Sequence, residues 1–551
     1  MLRNLNASFR RMLIFGGAAV CLLSSLGDLQ GAWEPSVIVS DPSMNASLQG
    51  GPVLRVDPQG NAISVWGNQS KGTMVSSYYT RGVGWQPPQT ISSLALNSFG
   101  GSLYTSQADP SIALNSTGYA VAVWEAAYNE EPFFPNVVVA AVRDSSGVWN
   151  PVQNISDVTG VYDSNQANIS LNEAGTALAA WRTYGIESGL KNTVVSFLPL
   201  GGSWTTPLYF PEENQAGRDI KPYPFINPNG DAVVVWTAEA LDSTHNIKVA
   251  TYDSGTGIWS GPVDLDTQLT EDFGLNPRTM MDANGNAVAI WIFDNQVKAS
   301  YFNGTTWSSS VLLGFGSMGF QYGPTVVMDL AGNATAVWAG ERLEVDVYSS
   351  SRLPNGTWTT PQIISQENPN FFTGFMSQEP LSVNEEGDVM AIWSNSDTRE
   401  IFSAFKPFGF NWQAPEVVQA EGTDTVQTTN IGIASCGFAV ALWHESENGL
   451  GVVRAAVNQI PISLIVEGSP RFTQCHLKFA TQSRVISNLT WETLFPGCVA
   501  AFNIYCNGGL IETITDGSLA FTVSDCDNSC RFTVTAVDFQ GLESAPVPFV
   551  F

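Results

Sequence analysis

Asp282-Ala-Asn-Gly285-Asn-Ala-Val-Ala-Ile-Trp291 puts an Asp at the first and a Gly at the fourth position of a tight turn, then a short apolar run ending on Trp. That turn chemistry is the type I form that closes a hairpin, and the run after it reads as a buried strand. The pattern recurs as Asp57-Pro-Gln-Gly60-Asn-Ala-Ile-Ser-Val-Trp66 and Asn115-Ser-Thr-Gly118-Tyr-Ala-Val-Ala-Val-Trp124. Further copies end at Trp181, Trp236, Trp338, Trp393 and Trp443. Successive Trp spacings of 58, 57, 55, 55, 47, 55 and 50 residues exceed a helical-hairpin repeat and fit a four-stranded blade with its loops.

Each unit carries a second Trp, usually with a Pro close behind, as in Trp85-Gln-Pro-Pro88, Trp204-Thr-Thr-Pro207 and Trp412-Gln-Ala-Pro415, while Trp307 has Ser310 where the Pro would stand. One such copy, Trp33-Glu-Pro35-Ser-Val-Ile-Val-Ser40, precedes the first turn, while the last repeat stops near Val457 without its fourth strand. The orphan strand at Val37 to Ser40 therefore fills that gap and joins the two ends of the repeat region, which removes free sheet edges. The expectation is an all-β protein: an eight-bladed β-propeller of four-stranded blades, closed by an N-terminal strand, over residues 33–457. The weakest copy, Cys436-Gly437-Phe-Ala-Val-Ala-Leu-Trp443, lacks the turn Asp, and a count without it gives seven blades.

A Trp needed once per repeat is a packing residue, so the repeated Trp are read as core rather than as sugar platforms. Asp282-Ala-Asn284-Gly285-Asn286 is like half a calcium loop but lacks the distal Glu, and no metal or other cofactor is expected.

The Gly285-Asn-Ala-Val-Ala-Ile-Trp291 type of unit resembles those of exported bacterial propellers and is distantly similar to sialidase-like propellers. Sialidases carry a Ser-x-Asp-x-Gly-x-Thr-Trp box, whereas here the Trp follows the Gly by six positions rather than three. Their arginine triad does not assemble from motif context, although Arg143, Arg182, Arg278 and Arg342 are present.

Composition sets the class and excludes partners. Apolar residues make up 44% and charged residues 13% of 551, with 50 Gly and 17 Trp, which suits a folded, turn-rich β protein. Arg3, Arg10 and Arg11 precede an apolar run from Met12 to Leu26, the order of a signal peptide over residues 1–27. That run is shorter than the ~20 residues of a spanning helix, so no transmembrane segment is expected and the chain reads as secreted or bound to the cell envelope. Lipidation at Cys21 is the minor alternative. Removing residues 1–27 takes away three Arg and no acid, moving the formal charge from −27 to −30. So negative a surface repels phosphate backbones and anionic lipids, which argues against nucleic acid as a partner.

Beyond Val457 the repeat gives way to alternating strands at Leu489-Thr-Trp491, Phe502-Asn-Ile-Tyr505 and Phe532-Thr-Val-Thr-Ala-Val537. With the Asp538…Gly541-Leu-Glu-Ser544 ending, residues 461–551 resemble a fibronectin type III domain. Phe532 stands where such domains carry a corner tyrosine. Five Cys crowd this region: Cys475, Cys498, Cys506, Cys526 and Cys530. Their pairing is not deducible from spacing. Cys526 and Cys530 are close enough for a local bridge, and Cys498 with Cys506 would be about 27 Å apart on one extended strand.

Function is sought where the repeat is free to vary. The links after each Trp-ending strand and into the next blade are long and dissimilar, and recognition is normally built on such loops. They contain Tyr104, Tyr128, Glu130, Glu131, Phe133, Phe134, Tyr162, Asp163, Tyr184, Glu187, Asp272, Phe273, Phe320, Tyr322, Phe371 and Phe372. Rings beside carboxylates suit sugars or basic peptides, so the expected partner is a glycan or a protein. His444-Glu445 is a dyad without an identifiable nucleophile, expected with His245 in these links. Three His are too few and too scattered for a metal centre, and nucleophile-elbow, P-loop and His-Glu-x-x-His motifs are absent. A non-catalytic binding protein is thus the first reading. The alternative is a glycan-processing enzyme, a sialidase-like glycosidase or a lyase, with paired carboxylates at the centre of the ring.

Overall fold

The turn that opens each repeat is held by its own first side chain. In the computed structural model Asp282 Oδ1 accepts from the backbone N–H of Asn284 and of Asn286, each at 2.8 Å, and Oδ2 accepts from Asn286 Nδ2 at 2.8 Å. Gly285 N donates to Asp282 O at 3.2 Å and holds φ of +80°, the left-handed residue that ends a three-residue hairpin loop. The structure describes residues 33–41, 43–47, 51–92, 104–129, 135–157, 162–185, 191–211, 222–239, 244–269, 276–316, 323–341, 345–365, 380–395, 398–420, 426–447, 449–458, 471–478, 483–491, 499–515, 517–524, 530–537, 543–544 and 546–549.

The described chain is all-β, with the 3-10 turn Ser435–Gly437 as its one helical element. The repeats form antiparallel sheets arranged like propeller blades. Sheet I comprises Val53–Val56, Ala62–Asn68, Thr73–Thr80 and an outer strand split into Gly84–Trp85 and Gln89–Thr90. The split falls at Pro87 and Pro88, which have no N–H for the ladder. Sheet II is Tyr104–Leu114, Ala120–Tyr128, Asn136–Arg143 and Gln153–Asn154; sheet III is Tyr162–Leu171, Ala177–Gly185, Lys191–Leu198 and Leu208–Pro211. Sheet IV is Tyr223–Ile226, Ala232–Glu239, His245–Asp253 and Ile258–Leu269; sheet V is Arg278–Met281, Ala287–Phe293, Gln296–Phe302 and Val311–Phe315. Sheet VI is Thr325–Met328, Ala334–Glu341, Val345–Ser351 and Gln362–Ile363; sheet VII is Leu381–Val383, Val389–Ser394, Ile401–Lys406 and Glu416–Gln419.

Sheet VIII takes three strands, Val426–Ile433, Ala439–Glu447 and Leu450–Asn458, from the end of the repeat region, and its fourth, Val37–Ile38, from the start. Val37 pairs with Ala455 and Ile38 with Arg454. The second-Trp motif of this borrowed strand behaves like its counterparts. Trp33 Nε1 donates to Ser403 Oγ of sheet VII at 2.9 Å, as Trp412 Nε1 donates to Ser349 Oγ of sheet VI at 3.0 Å.

The first strand of each sheet packs on the first strand of the next, and that of sheet VIII on that of sheet I. Asn168 Nδ2 spans one junction to Pro222 O, and Asn430 Nδ2 spans the last to Pro52 O, both at 2.8 Å. Residues from all eight first strands line a narrow central channel of about 210 Å³.

The repeated Trp are core residues: Trp66, Trp124, Trp181, Trp236, Trp291, Trp338, Trp393 and Trp443 are each at most 1% exposed. Six of them, Trp124, Trp181, Trp236, Trp291, Trp338 and Trp393, sit in cores shared by two sheets. Trp124 of sheet II packs on Val53, Ile63, Val65 and Met74 of sheet I, and Trp291 of sheet V on Val233, Val235 and Val249 of sheet IV. No such sheet buries its faces alone, which is the physics of a repeat architecture.

Two compact units separate, one of Trp33–Ala434 with Ala439–Val457 and the other taking in Asn458–Phe551. In the second, one sheet is Arg471–Lys478, Ser483–Thr490 and Ala520–Ser524, and the other runs Gly509–Ile514, Ala501–Cys506, Phe532–Val537, Val547–Pro548. A shared core joins them through Leu489, Trp491, Phe502, Ile504, Val534 and Phe549. Cys506 is disulfide-bonded to Cys530, 24 residues on, with Cα atoms 5.4 Å apart. The local Cys526–Cys530 bridge is therefore not formed. Pairing of Cys506 with Phe532 across the sheet brings Cys530 to it, a long-range contact that spacing cannot reveal. The expected signal peptide at 1–27 and Cys498 and Cys526 lie outside the described residues.

Candidate functional site

The two ends of the repeat sheets differ. At one end seven of the eight sheets close with the same Asx-x-x-Gly turn, sheet VIII having Ala434 in place of the Asx; at the other lie the long links. Tyr104 and Tyr128 pair across adjacent strands of sheet II at this link end. In sheet III Tyr162 pairs with Gly185 and Asp163 with Tyr184 at the same end. Tyr162 and Tyr209 rings lie 5.9 Å apart, Tyr184 is 38% exposed, and Tyr128 is half-buried against the core between sheets I and II. Asp163 Oδ1 accepts the backbone N–H of Asn136 at 2.9 Å, tying sheet III to sheet II. Burial, then the negative charge of Asp157, raises the pKa of the Tyr209 phenol. The group thus offers neutral rings and hydroxyls beside acids. Glu130, Glu131, Phe133, Phe134, Glu187, Asp272, Phe273, Phe320, Tyr322, Phe371 and Phe372 lie outside the described residues.

His444 and Glu445 are not in a link. Both lie in the strand Ala439–Glu447, 1% and 6% exposed. His444 Nε2 sits 3.2 Å from Ala46 O, and desolvation lowers its pKa. Glu445 forms an ion pair with Arg454 and accepts from Trp443 Nε1 and Gln419 Nε2, each at 3.3 Å. Arg454 also reaches Glu447 at 2.8 Å. These charges compensate one another inside the sheet that the N-terminal strand completes, which explains their burial. The apolar-polar alternation of Leu442 to Glu447 breaks at this point, so the sequence reads as the start of a loop although the ladder continues. His245 likewise begins a strand and is buried.

The described residues lining the central channel include Arg55 but no Asp or Glu. Glu416, on the outer strand of sheet VII, is pushed up to about 7 by desolvation alone. Asp282 keeps its oxygens engaged by its own turn, as do Asp57, bonded to Asn61, and Asp329, bonded to Asn333.

Two clefts open between neighbouring sheets at the short-turn end, a site that sequence reading passes over. One, of about 410 Å³ between sheets VI and VII, is lined by Asp329, Ser351, Arg352, Lys406, Phe408 and Phe410 among others. The other, of about 590 Å³ between sheets IV and V, is lined by Thr251, Asp253, Phe302 and Trp307 among others. Their only sequence signal is a small hydroxyl residue at one register position of the third strand.

Among solved structures the chain is similar to the BP39L lectin from Burkholderia pseudomallei at 13% identity, covering 70% of this chain and 100% of that one, with a TM-score of 0.44. A polysaccharide lyase described as an ulvan lyase matches at 10% identity, over 77% of this chain and 96% of the other, with a TM-score of 0.40. A Hadza microbial sialidase matches at 9% identity, over 63% of this chain and 65% of its own, with a TM-score of 0.36. No protein-family model and no curated protein matches the chain. Likenesses this remote say nothing about activity.

Proposed function

We propose that this chain is an exported, non-catalytic binding protein: an eight-bladed propeller with a fibronectin type III-like domain after it, taking a glycan or protein ligand at its link end. The observation that carries this reading is the contrast between the two ends of the sheets. Turns bonded to their neighbours are constrained by packing; dissimilar links around exposed rings such as Tyr184 are free to be shaped by a ligand. Tyr128, Tyr162 and Tyr184 are the contacts among the described residues, with Glu130, Phe133, Phe134, Phe320, Tyr322, Phe371 and Phe372 on adjoining links. The blade count is supported by eight Trp-bearing sheets whose first strands pack in succession, and the second domain by two facing sheets on one core. Export is supported by the arginine-then-apolar leader.

The test is a glycan array and a panel of extracellular proteins probed with the exported chain. Binding that falls when Tyr162 and Tyr184 are both changed to Ala, and again for the Phe133, Phe134, Phe371 and Phe372 alanine set, supports the link end. No binding on either array, or binding indifferent to all these changes, sinks it.

A further inference from the structure

We propose that the cleft between sheets VI and VII holds a single carboxylated sugar ring, a uronic acid unit, at the short-turn end and independently of the link end. Counting from the strand that follows each turn, Ala62 pairs with Tyr79 and Ile63 with Tyr78 in sheet I; Ala120 pairs with Arg143 in sheet II. The same positions are Val288–Tyr301 in sheet V, Thr335–Ser351 in sheet VI and Val389–Lys406 in sheet VII, while Arg352 follows Ser351 and bonds Ala334 O. Arg143, Arg352 and Lys406 are thus equivalent, and so are Tyr78, Tyr301 and Ser351.

At two junctions the cation of one sheet covers the tyrosine of the sheet before it: Arg143 lies 4.0 Å from the Tyr78 ring centroid and Arg352 3.5 Å from that of Tyr301. These stacks fill the gap between sheets. At the junction of VI and VII the ring is missing, because Ser351 stands in its place, and the cation is Lys406. The gap stays open, with a volume at the lower end of the range of about 300–1,000 Å³ typical of small-molecule sites.

Its lining suits one chemistry. Lys406 Nζ has no hydrogen bond among the described residues, and Arg352 Nε is buried without a partner while its guanidinium carbon lies 3.5 Å from the Tyr301 ring centroid. Burial lowers the proton affinity of Lys406, with Asp388 and Asp329 acting the other way. The oxygens of Asp329 accept from Ala331 N, Asn333 N and Asn333 Nδ2, so its charge, like that of Asp388, acts on the amine without a hydrogen bond to it. A carboxylate entering the cleft supplies the missing partner. Phe408 and Phe410 stand at the rim, 52% and 44% exposed, as apolar faces for a sugar ring. At −27 the chain repels polyanions at long range, which favours one acidic ring over a polyuronate. The cleft between sheets IV and V has Thr251 at the Tyr301 position but no Lys or Arg in its lining, and makes an internal control.

The experiment is calorimetric titration of the full chain with glucuronic acid, galacturonic acid, glucose and acetate. A uronic acid binds, and glucose and acetate bind at least about tenfold more weakly. Lys406→Met weakens the uronic acid about tenfold or more. The double change S351Y/K406R rebuilds the stack of the filled junctions, and should abolish binding without lowering the melting temperature. If Lys406→Met fails to fold, S351Y/K406R decides alone. No binding of either uronic acid, or unchanged binding by S351Y/K406R, overturns the proposal. Acetate binding as tightly as the uronic acids reduces the cleft to an anion site and overturns the sugar assignment.

Discussion

The repeat region and the C-terminal unit solve the same problem by opposite means. Sheets II to VI of the repeat region each contribute half of two cores, each holding a buried Trp, and the described residues there contain no disulfide. The C-terminal unit has one core, of which Trp491 is the single Trp, and a covalent tie across its sheet. A stack gains stability from neighbouring repeats, whereas a domain of about 90 residues buries a smaller share of its surface and leans on cross-linking.

That contrast can be broken at graded cost. Trp291→Ala removes the centre of the core between sheets IV and V and should cost about 3–5 kcal/mol, read from chemical unfolding of the repeat region. Replacing Cys506 and Cys530 with Ser should cost the C-terminal unit about 3 kcal/mol, read from hydrogen exchange of the Phe502, Ile504 and Val534 amides. Amides of the repeat Trp strands should not respond; if they do, the two solutions are not separate.

Smaller effects test the turns. Two kinds occur. Where the first residue is Asp, as at 57, 282 and 329, its carboxylate holds the Asn at the fifth position. Where it is Asn, as at 172, 227 and 384, its amide reaches the next sheet: Asn227 Nδ2 donates to Asp282 O at 3.0 Å and Asn384 Nδ2 to Ala434 O at 3.2 Å. Asp282→Ala should cost about 1–2 kcal/mol by leaving turn N–H groups unpaired. The double change D282N/N286D converts one kind into the other, and should stay within about 0.5 kcal/mol of the parent in the same unfolding assay.

A further effect is in pH. His444 is neutral in the fold, with a pKa below the ordinary 6.5, so its contribution is intact above that value and is lost as pH falls towards the depressed one. Glu416 acts in the other direction. With its pKa raised from 4.5 to about 7, it contributes fully below 4.5 and loses that contribution as pH rises to about 7. In a melting-temperature profile, Glu416→Gln should flatten the alkaline side of that window and His444→Gln the acid side; swapped effects would mean the wrong groups are titrating.

Much of the scaffold was legible because it is written locally. Asp282 and Asn286 are four residues apart and bond within one turn, and Ala287 to Trp291 shows its burial in composition. The borrowed strand was readable by arithmetic, from a Trp-Pro motif without a hairpin before it and a hairpin without such a motif at the end. The link-end tyrosines read as link residues, whereas Tyr104, Tyr128, Tyr162 and Tyr184 lie in strands that run out to that end. His444 was not, because burial there rests on Ala46 and Arg454, contributed by other strands.

By itself, then, the sequence determined the all-β class, the repeat, the buried Trp and the turn chemistry, since chain-neighbour hydrogen bonding and apolar periodicity act over a few residues. Tertiary structure alone decided that Cys506 meets Cys530, that the His444-Glu445 dyad is interior, and that the gap at Ser351 and Lys406 stays open while those at Tyr78 and Tyr301 are filled. Each of those outcomes depends on strand register and on which sheet lies next to which, and neither leaves a mark in the order of residues along one strand.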